Sequence, residues 1–374
     1  MHPEFPLASD IVHLNHAGVA PWPRRTIDAI TQFAQENMHY GSRYYERWLE
    51  TEAQLRDQLR WLINAQSSDD IALLKNTSEA LSTVAYGIDW QPGDNVVTNL
   101  QEFPSNRIVW ESLRERFGIE VRLADLTTSE IPEDALLALV DDHTRLLSVS
   151  SVQYSNGLRM DLSRIGKTCR ARGTLLCVDA IQSLGAEPFD VQNCKADFVM
   201  ADGHKWMLGP EGVALFYCRP ERREQLRLTQ YGWHMVQHHN DYEHMDWQPA
   251  STARRFECGS PNSLGIHALS ASISLIQETG TDTIHQKISA NVAYLREGLV
   301  SLGLDSLTPR APERCAGIIT FRHPRKGGWE LYGSLRVAGV LCAQRAGGIR
   351  FSPHFYTPRE HLDRALNILE EALK

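Results

Sequence analysis

Short apolar runs alternate with amphipathic segments along the first two thirds of the chain. The runs "DNVVTNL", "TRLLSVSSV", "TLLCVDAIQ" and "ADFVMADG" are largely apolar, and helical patterns such as "NRIVWESLRERFG" and "LSRIGKTCRARG" stand between them. A strand that is apolar along its whole length needs cover on both faces, as the strands of parallel sheets have. The alternation therefore predicts an α/β protein with a mostly parallel sheet between layers of helices.

The pattern changes after about residue 260. Two long helical stretches, "LGIHALSASISLIQETG" and "TIHQKISANVAYLREGLVSLG", are followed by a mixture of shorter strand and helix patterns. This mixture predicts a smaller α+β domain at the C-terminus. We expect an N-terminal segment at 1–22, a large domain at 23–270 and a small domain at 271–374.

Composition excludes several classes of protein. The 374 residues carry a net charge of −8 without a basic block, so we expect no nucleic-acid partner. No apolar run approaches the roughly 20 residues that span a bilayer, and the N-terminus lacks the pattern of a secretory signal. Seven scattered cysteines without a CxxC pair are typical of a reducing compartment. We therefore expect a cytoplasmic protein with no membrane contact and no metal site.

A lysine stands inside an otherwise apolar stretch, "VMADGHKWMLGPEGVALFYC", at residues 199 to 218. Burial lowers the pKa of a lysine, and its free amine can then form a Schiff base with an aldehyde cofactor. The other interpretation is that Lys205 extends its ammonium group to the surface. This stretch alone leaves both interpretations open.

Two further stretches have the same ambiguity. "LLCVDAIQSLGAEPFDV" places Asp179 at the carboxyl end of an apolar strand, where ligands bind in parallel sheets, although the aspartate could equally cap the next helix. "LLKNTSEALSTVA" places Thr77 and Ser78 at the start of a helix. Free N–H groups and hydroxyls at such a start can bind phosphate, or simply cap the helix.

Together and in this order, the three stretches resemble the fold type I pyridoxal-phosphate enzymes. The match is to the class V aminotransferase-like group, which includes cysteine desulfurases, selenocysteine lyases, kynureninase and isopenicillin epimerase-like proteins. "VDAIQSLG" resembles its V-D-x-x-Q-x-x-G, "RRFECGSPN" its R-F-E-x-G-T-P-N, and "GGIRFSPHFYTP" its R-x-S-x-H-x-Y-N-T. The resemblance covers nearly the whole chain. It implies a seven-stranded sheet with a smaller domain, pyridoxal 5'-phosphate as the cofactor, and an α-amino acid as the substrate.

The resemblance assigns residues to the cofactor ring. Lys205 would bind the cofactor aldehyde, Asp179 would pair with the pyridine nitrogen, and Gln182 would bond the phenolic oxygen. Desulfurases stack a histidine on the ring, in an E-H-H-x-N stretch, whereas "QEFPSNRIVW" has Phe103 at that place and looks more like kynureninase. A phenylalanine can stack but cannot carry a proton; the alternative is that Phe103 belongs to the core.

The resemblance also assigns residues to the cofactor phosphate. His204, Thr77 and Ser78 would bind it from the same subunit. Gly259 and Ser260 match positions that reach the phosphate of the neighbouring subunit, with Ser260 where the family has threonine. This pattern implies a homodimer with shared active sites.

Three residues are expected on the substrate side. Arg350 matches the arginine that binds the substrate α-carboxylate, for which a planar guanidinium is well suited. Asn15 and His16 lie in an N-terminal segment that in the family folds over the active site, so they either contact substrate or form a structural turn. A loop at 234–244 with four histidines lacks a recognised metal pattern such as H-E-x-x-H, and we expect it to border the partner's pocket.

The reaction is less constrained than the cofactor, because the protein chooses which bond breaks. Desulfurases take up sulfur on a cysteine in a mobile loop ahead of the carboxylate-binding arginine. Cys342 instead lies in the apolar run "GVLCAQRAGGIRFSP", so we expect it not to carry a persulfide. We predict a desulfurase-like lyase that cleaves a Cβ substituent of the C–S type. An aminotransferase and a kynureninase-like hydrolase are the alternatives, and a non-catalytic regulator is disfavoured because the lysine, the aspartate and the arginine are all kept.

Overall fold

A central sheet of seven strands organises the protein, which a computed structural model describes over residues 2–243, 245–325 and 327–374. The strands in this part of the chain are β1 (Val12–His13), β2 (Ile71–Leu74), β3 (Asn95–Asn99), β4 (Glu120–Ala124), β5 (Thr144–Ser150), β6 (Leu175–Asp179), β7 (Phe198–Asp202), β8 (Ala214–Cys218), β9 (Asp305–Ser306), β10 (Ile319–Arg322), β11 (Val340–Leu341), β12 (Ala343–Arg345) and β13 (Gly348–Phe351). The central sheet has the order β2-β8-β7-β6-β5-β3-β4, and β8 is antiparallel to both of its neighbours. The other pairs are parallel, which confirms the predicted sheet.

Apolar residues of the inner strands pack into two separate clusters, one on each face of the sheet. In β6, Leu176 and Val178 join one cluster, whereas Leu175 and Cys177 join the other. Because successive side chains of a strand point to opposite faces, a strand covered on both sides must be apolar at nearly every position. This is why the strand sequences show continuous apolar runs.

Helices cover the two faces of the sheet and form the outer layers. In the described residues they are α1 (Arg24–Tyr40), α2 (Tyr45–Leu62), α3 (Thr77–Gly87), α4 (Ser105–Phe117), α5 (Pro132–Leu137), α6 (Leu162–Arg172), α7 (Val191–Cys194), α8 (Ser263–Thr279), α9 (Thr281–Ser301), α10 (Gly328–Val337) and α11 (Arg359–Leu373). Helix α8 packs against α1 and α2. None of these helices is both long and apolar enough to cross a membrane.

The C-terminal part is built on a second, antiparallel sheet of order β12-β13-β10-β9. Helices α9 and α10 pack against it, and α11 packs against these two helices and β1. The N-terminal strand β1 pairs in parallel with β11, so the beginning of the chain is attached to this C-terminal part. The division at 1–22, 23–270 and 271–374 stays a prediction.

Two regular patterns of the sequence are interrupted in the structure. Residues 24 to 63 have one continuous helical pattern, but α1 ends at Gly41, whose φ of 57° suits a glycine. The run that follows Gly339 has the pattern of one strand and is divided into β11, β12 and β13. Ala346 and Gly347 turn the chain between β12 and β13 with φ values of 50° and 73°. A two-residue hairpin needs such positive values at both positions.

Candidate active site

A cavity of about 270 Å³ lies at the carboxyl edge of the central sheet. Strands β2, β3, β5, β6 and β7 run parallel, so the residues that follow their ends meet at this edge. The cavity brings together eight of the residues predicted from the sequence: Thr77, Ser78, Phe103, Asp179, Gln182, His204, Lys205 and Arg350. Four others, Asn15, His16, Gly259 and Ser260, are not among its lining residues.

Lys205 lies in the turn that follows β7, and it is half-buried. Burial lowers its pKa, and the negative charge of Asp179 opposes that change. The Lys205 Nζ lies 5.6 Å from the centre of the Phe103 ring. The turn packs tightly on α8, because a Cβ at Gly209 would lie 2.5 Å from Leu269 Cδ1. The lysine is therefore held inside the cavity rather than extended to the surface.

Asp179 is the last residue of β6, and its Oδ1 accepts a hydrogen bond from the Ile181 N–H at 3.0 Å. Burial raises its pKa, and the nearby carboxylate of Glu102 adds to the increase, while Lys205 opposes it. A cationic partner in the cavity would stabilise the ionised form of Asp179.

Glu102 is a buried carboxylate that the sequence analysis missed. Its oxygens accept hydrogen bonds from the side chains of Asn99 (2.7 Å), Asn106 (3.0 Å) and Gln153 (3.1 Å), and from both the N–H and the hydroxyl of Ser150. Since Glu102 directly precedes Phe103, this network fixes where the phenylalanine stands. The sequence does show a glutamate between two asparagines at the end of a predicted strand, and this pattern could have indicated the network.

The starts of two helices meet at one end of the cavity. Thr77 begins α3, and its Oγ1 accepts a hydrogen bond from the Asp202 N–H at 3.1 Å. The Ser78 hydroxyl donates to the Ser105 hydroxyl at 2.9 Å, and Ser105 begins α4. Free N–H groups and the positive ends of helix dipoles favour an anion here. The sequence analysis assigned no role to Ser105, because the start of α4 could not be placed beside α3 without the fold.

Three buried polar atoms around the cavity have no hydrogen-bond partner among the described residues: Asp202 Oδ1, His204 Nδ1 and Arg350 Nε. The first two face each other at 3.1 Å without hydrogen-bond geometry. Buried polar groups without partners are rare and mark sites that a ligand completes. Together with Lys205, Asp179 and the helix starts, they fit an aromatic aldehyde that carries a phosphate. This is the structure of pyridoxal phosphate.

Gln182 connects the cofactor side of the cavity to the N-terminal segment. Its Nε2 donates to the Ala17 carbonyl at 3.1 Å, and its Oε1 accepts from the Trp206 indole at 2.8 Å. Ala17 and its next two residues line the cavity. Gln182 therefore stands between the segment and the lysine turn, with one amide hydrogen left for another acceptor.

The two residues predicted in the N-terminal segment take different positions. His16 is 0% exposed; its Nδ1 bonds the Ser352 carbonyl at 2.8 Å and its Nε2 bonds the Tyr356 hydroxyl at 2.6 Å. The structure does not bring His16 to the cavity, because both of its ring nitrogens are hydrogen-bonded to residues that do not line the cavity. Asn15 reaches the site indirectly, since its Oδ1 accepts from Arg350 Nη2 at 3.4 Å.

Arg350 lies on β13 and is 1% exposed. Its Nη1 donates to the Tyr154 carbonyl at 2.7 Å, and the Tyr154 ring meets the Phe103 ring edge to face at 5.2 Å. Burial lowers the pKa of Arg350 to about 9, and the neighbouring charge of Arg345 contributes to the shift. An anion in the cavity would stabilise the charged guanidinium.

Gly259 and Ser260 line a different cavity, of about 400 Å³, in which Lys75 and Glu79 also stand. The segment is attached to β2 through Glu257, which accepts hydrogen bonds from the Leu73 N–H at 2.8 Å and from the Arg56 guanidinium. Within one chain, these two residues are therefore not part of the Lys205 cavity.

Side chains of Glu52, His234 and Glu257 lie close enough to share a metal ion. Arg56 donates to both glutamates, so its positive charge already offsets one of their two negative charges. The group therefore fits an ion-pair network that holds the histidine-rich loop. His244, the fourth histidine of that loop, lies outside the described residues. The absence of a metal site stays a prediction.

Cys342 lies between β11 and β12 and is buried. Burial raises the pKa of its thiol to about 12. No cysteine stands among the described residues that line the Lys205 cavity. A tight hairpin, rather than a loop, precedes Arg350 in this chain.

Comparison with known proteins identifies the family. The model of the aminotransferase class-V family matches residues 12–364. The chain belongs to the aminotransferase class-V family. It is 30% identical to a cysteine desulfurase of Yersinia pestis (strain Pestoides F), over 99% of this chain and 97% of that protein. It is 27% identical to a probable cysteine desulfurase of Pyrococcus abyssi, over 99% and 96%.

Solved structures confirm the fold predicted from the sequence. A complex of the cystine C–S lyase C-DES with its reaction product cysteine persulfide has a TM-score of 0.91 at 24% identity, covering 97% of this chain and 98% of that chain. The apo structure of a cysteine desulfurase from Thermococcus onnurineus has a TM-score of 0.87 at 23% identity, covering 98% and 96%. The class-V match also confirms the expected pyridoxal-phosphate enzyme.

Proposed function

We propose that this class-V enzyme uses pyridoxal phosphate to cleave the Cβ–S bond of a cysteine-type amino acid. The observation that carries the proposal is the grouping of Lys205, Asp179 and Arg350 in one cavity beside Phe103. Amino-acid chemistry on this cofactor has three separate requirements. A lysine must bind the aldehyde, an acid must pair with the ring nitrogen, and a guanidinium must bind the substrate carboxylate. One cavity meets all three.

Each residue has a defined task in the proposed reaction. When bound, pyridoxal phosphate withdraws electrons from the amino-acid Cα. Asp179 keeps the ring nitrogen charged, and Arg350 holds the α-carboxylate so that Cα faces the lysine. Lys205, with its pKa lowered by burial, can take the Cα proton as a neutral amine. Phe103 offers a flat apolar surface that is 41% exposed, against which the ring can stack.

The positions of the cysteines support a reaction in which the substrate sulfur leaves together with the substituent that it carries. A thiol that takes up sulfur must reach the substrate as a thiolate, and Cys342 is buried with a raised pKa. C-DES, which has the same fold, is a cystine C–S lyase with cysteine persulfide as its product. In such a reaction the sulfur leaves in the product rather than on the enzyme.

The proposed active enzyme is a cytoplasmic homodimer. Gly259 and Ser260 stand in a cavity of their own, which supports a role in the partner's phosphate site. Large aromatic side chains of the loop 231–247 are exposed, among them Tyr242 and Trp247, and a partner subunit would cover them. All seven cysteines are free thiols, which suits a reducing compartment.

The reaction is tested by product analysis of the protein loaded with cofactor. Cystine and S-alkyl cysteines should change its visible absorbance and yield pyruvate and ammonium together with a sulfur product, and cysteine should do so slowly. Amino acids without a sulfur substituent should change the absorbance without C–S products. If turnover required an oxo acid and yielded a new amino acid from it, the enzyme would be an aminotransferase and the lyase proposal would be wrong.

A further inference from the structure

A second arginine stands beside Arg350 on the same face of a hairpin. In the β12–β13 ladder, Ala343 is opposite Arg350 and Arg345 is opposite Gly348. Opposite residues of an antiparallel pair point to the same face, as do residues two apart in a strand. Arg345 and Arg350 are therefore diagonal neighbours on one face. The two-residue turn at Ala346–Gly347 fixes this register, because a tight hairpin leaves little freedom to slip.

Both guanidinium groups belong to the Lys205 cavity. Arg345 and Arg350 line it together, and Arg345 is half-buried there. The charge of Arg345 contributes to lowering the pKa of both Arg350 and Lys205, so its field reaches the reacting end of the cavity. Its Nη1 donates a hydrogen bond to the carbonyl of the adjacent Gln344, at 2.7 Å. Among the described residues, no aspartate or glutamate pairs with it.

The charges of the loaded cavity can be paired one by one. Asp202 already faces His204. With pyridoxal phosphate bound, Asp179 would pair with the ring nitrogen, and the helix starts at Thr77 and Ser105 would bind the phosphate. The substrate α-carboxylate takes Arg350. This leaves Arg345 as a cation that faces a partly closed space without a counter-charge. A half-buried guanidinium is stabilised by a bidentate carboxylate, whose planar geometry matches its own.

We propose that Arg345 binds a second acid group on the substrate, carried by the substituent on sulfur. This inference rests on the proposed C–S lyase function and names its substrate class. The substrate is a cysteine whose sulfur bears a short chain ending in a carboxylate. With one water, the reaction gives a thiol carboxylate, pyruvate and ammonium. The Cα proton is removed, the C–S electron pair leaves with sulfur, and the sulfur takes up a proton.

The first test compares two substrates of the same length. S-(2-carboxyethyl)-L-cysteine and S-propyl-L-cysteine differ in the terminal acid group. We expect the wild-type enzyme to prefer the carboxyethyl compound by about 10- to 100-fold in kcat/KM, mainly through KM, as a charged hydrogen-bond pair provides. Arg345→Gln should lose this preference, so that its kcat/KM values for the carboxyethyl and propyl compounds become similar. Arg345→Lys should keep part of the preference, since it retains the charge without the planar fork.

The second test measures binding without turnover. Glutarate and butyrate serve as unreactive ligands with two and one carboxylates, titrated by calorimetry into cofactor-loaded protein. The wild type should bind glutarate at least tenfold more tightly, and Arg345→Gln should bind both ligands alike. Arg170→Gln removes an exposed charge on α6 and should behave as the wild type does.

The outcomes separate the two proposals. Equal cleavage of both thioethers by the wild type, with pyruvate formed, would overturn the second anion site and leave the lyase intact. A preference that survives in Arg345→Gln would also overturn it. If no sulfur amino acid is cleaved although the cofactor is bound, the lyase proposal fails and the substrate class fails with it.

Discussion

The two walls of the Lys205 cavity are built in different ways. The cofactor-facing wall consists of residues at or just after the ends of parallel strands in one sheet, with Asp179 at the end of β6 and Lys205 after β7. The substrate-facing wall combines the N-terminal segment with the β12–β13 hairpin, which lie more than 300 residues apart in the sequence. The first wall therefore follows from the sheet itself. The second depends on long-range contacts, and the features that decide specificity lie there.

The largest expected effect concerns the cofactor-facing wall. Lys205→Ala removes the amine that binds the cofactor and moves the Cα proton, so turnover should fall on the order of 10⁶-fold, as for other removed nucleophiles. Borohydride should fix the cofactor to the wild type and not to the variant. Lys167→Ala, at an exposed position of α6, is the matched control. Covalent fixation that persists in Lys205→Ala would show that another residue binds the aldehyde.

A second change on the same wall should have a smaller effect. Asp179→Asn keeps the shape and removes the charge that holds the ring nitrogen protonated. We expect turnover to fall by about 100- to 1000-fold, the range for loss of one preorganised electrostatic group. Steady-state kinetics with saturating cofactor measures it, with the exposed Asp142→Asn as a control. Near-normal activity in Asp179→Asn would remove the aspartate from the mechanism.

The strand patterns alone placed Asp179 and Lys205 near the carboxyl edge of the sheet, and the family resemblance assigned their roles. The turn between a strand and a helix also predicted the helix start at Thr77. Arg350 was predicted by the family resemblance. Other features needed the fold. The donors around Glu102 come from two stretches that are distant in the sequence, 99–106 and 150–153. The pairing of Arg345 with Gly348 depends on a turn inside a run that has the pattern of one strand. The burial of His16 depends on Ser352 and Tyr356, at the other end of the chain.

The substrate-facing wall should make stability depend on pH. Burial lowers the pKa of His13 to about 4 and of His354 to about 3, and it lowers that of His16 as well. The unfolded chain takes up protons below about pH 6.5 that the folded chain cannot bind, so stability falls as the pH decreases from 7 to 5. Each histidine contributes about 2 kcal/mol to this loss at pH 5. On the cofactor-facing wall, Asp179 acts in the opposite sense, because burial raises its pKa.

Urea unfolding of the cofactor-free protein at pH 7 and pH 5 measures this difference. His13→Asn should reduce the pH dependence by about 2 kcal/mol, the share of one histidine. The exposed His39→Asn should leave the pH dependence as it is in the wild type. An equal dependence in His13→Asn and the wild type would mean that this histidine is not held neutral in the folded wall.

The smallest effect is expected for Cys342, which stands behind the hairpin of the substrate-facing wall. Its thiol is buried with a pKa raised to about 12, and the hairpin that follows is closed by a tight turn, so it can neither ionise nor reach the substrate sulfur. Cys342→Ala should keep turnover within about twofold and lower the free energy of unfolding by about 1 kcal/mol, through loss of packing. Sulfide release from cysteine in the presence of thiol should be slow in both proteins. Loss of nearly all turnover with an unchanged cofactor spectrum would show instead that the hairpin opens, and the two walls would then differ in mobility as well as in construction.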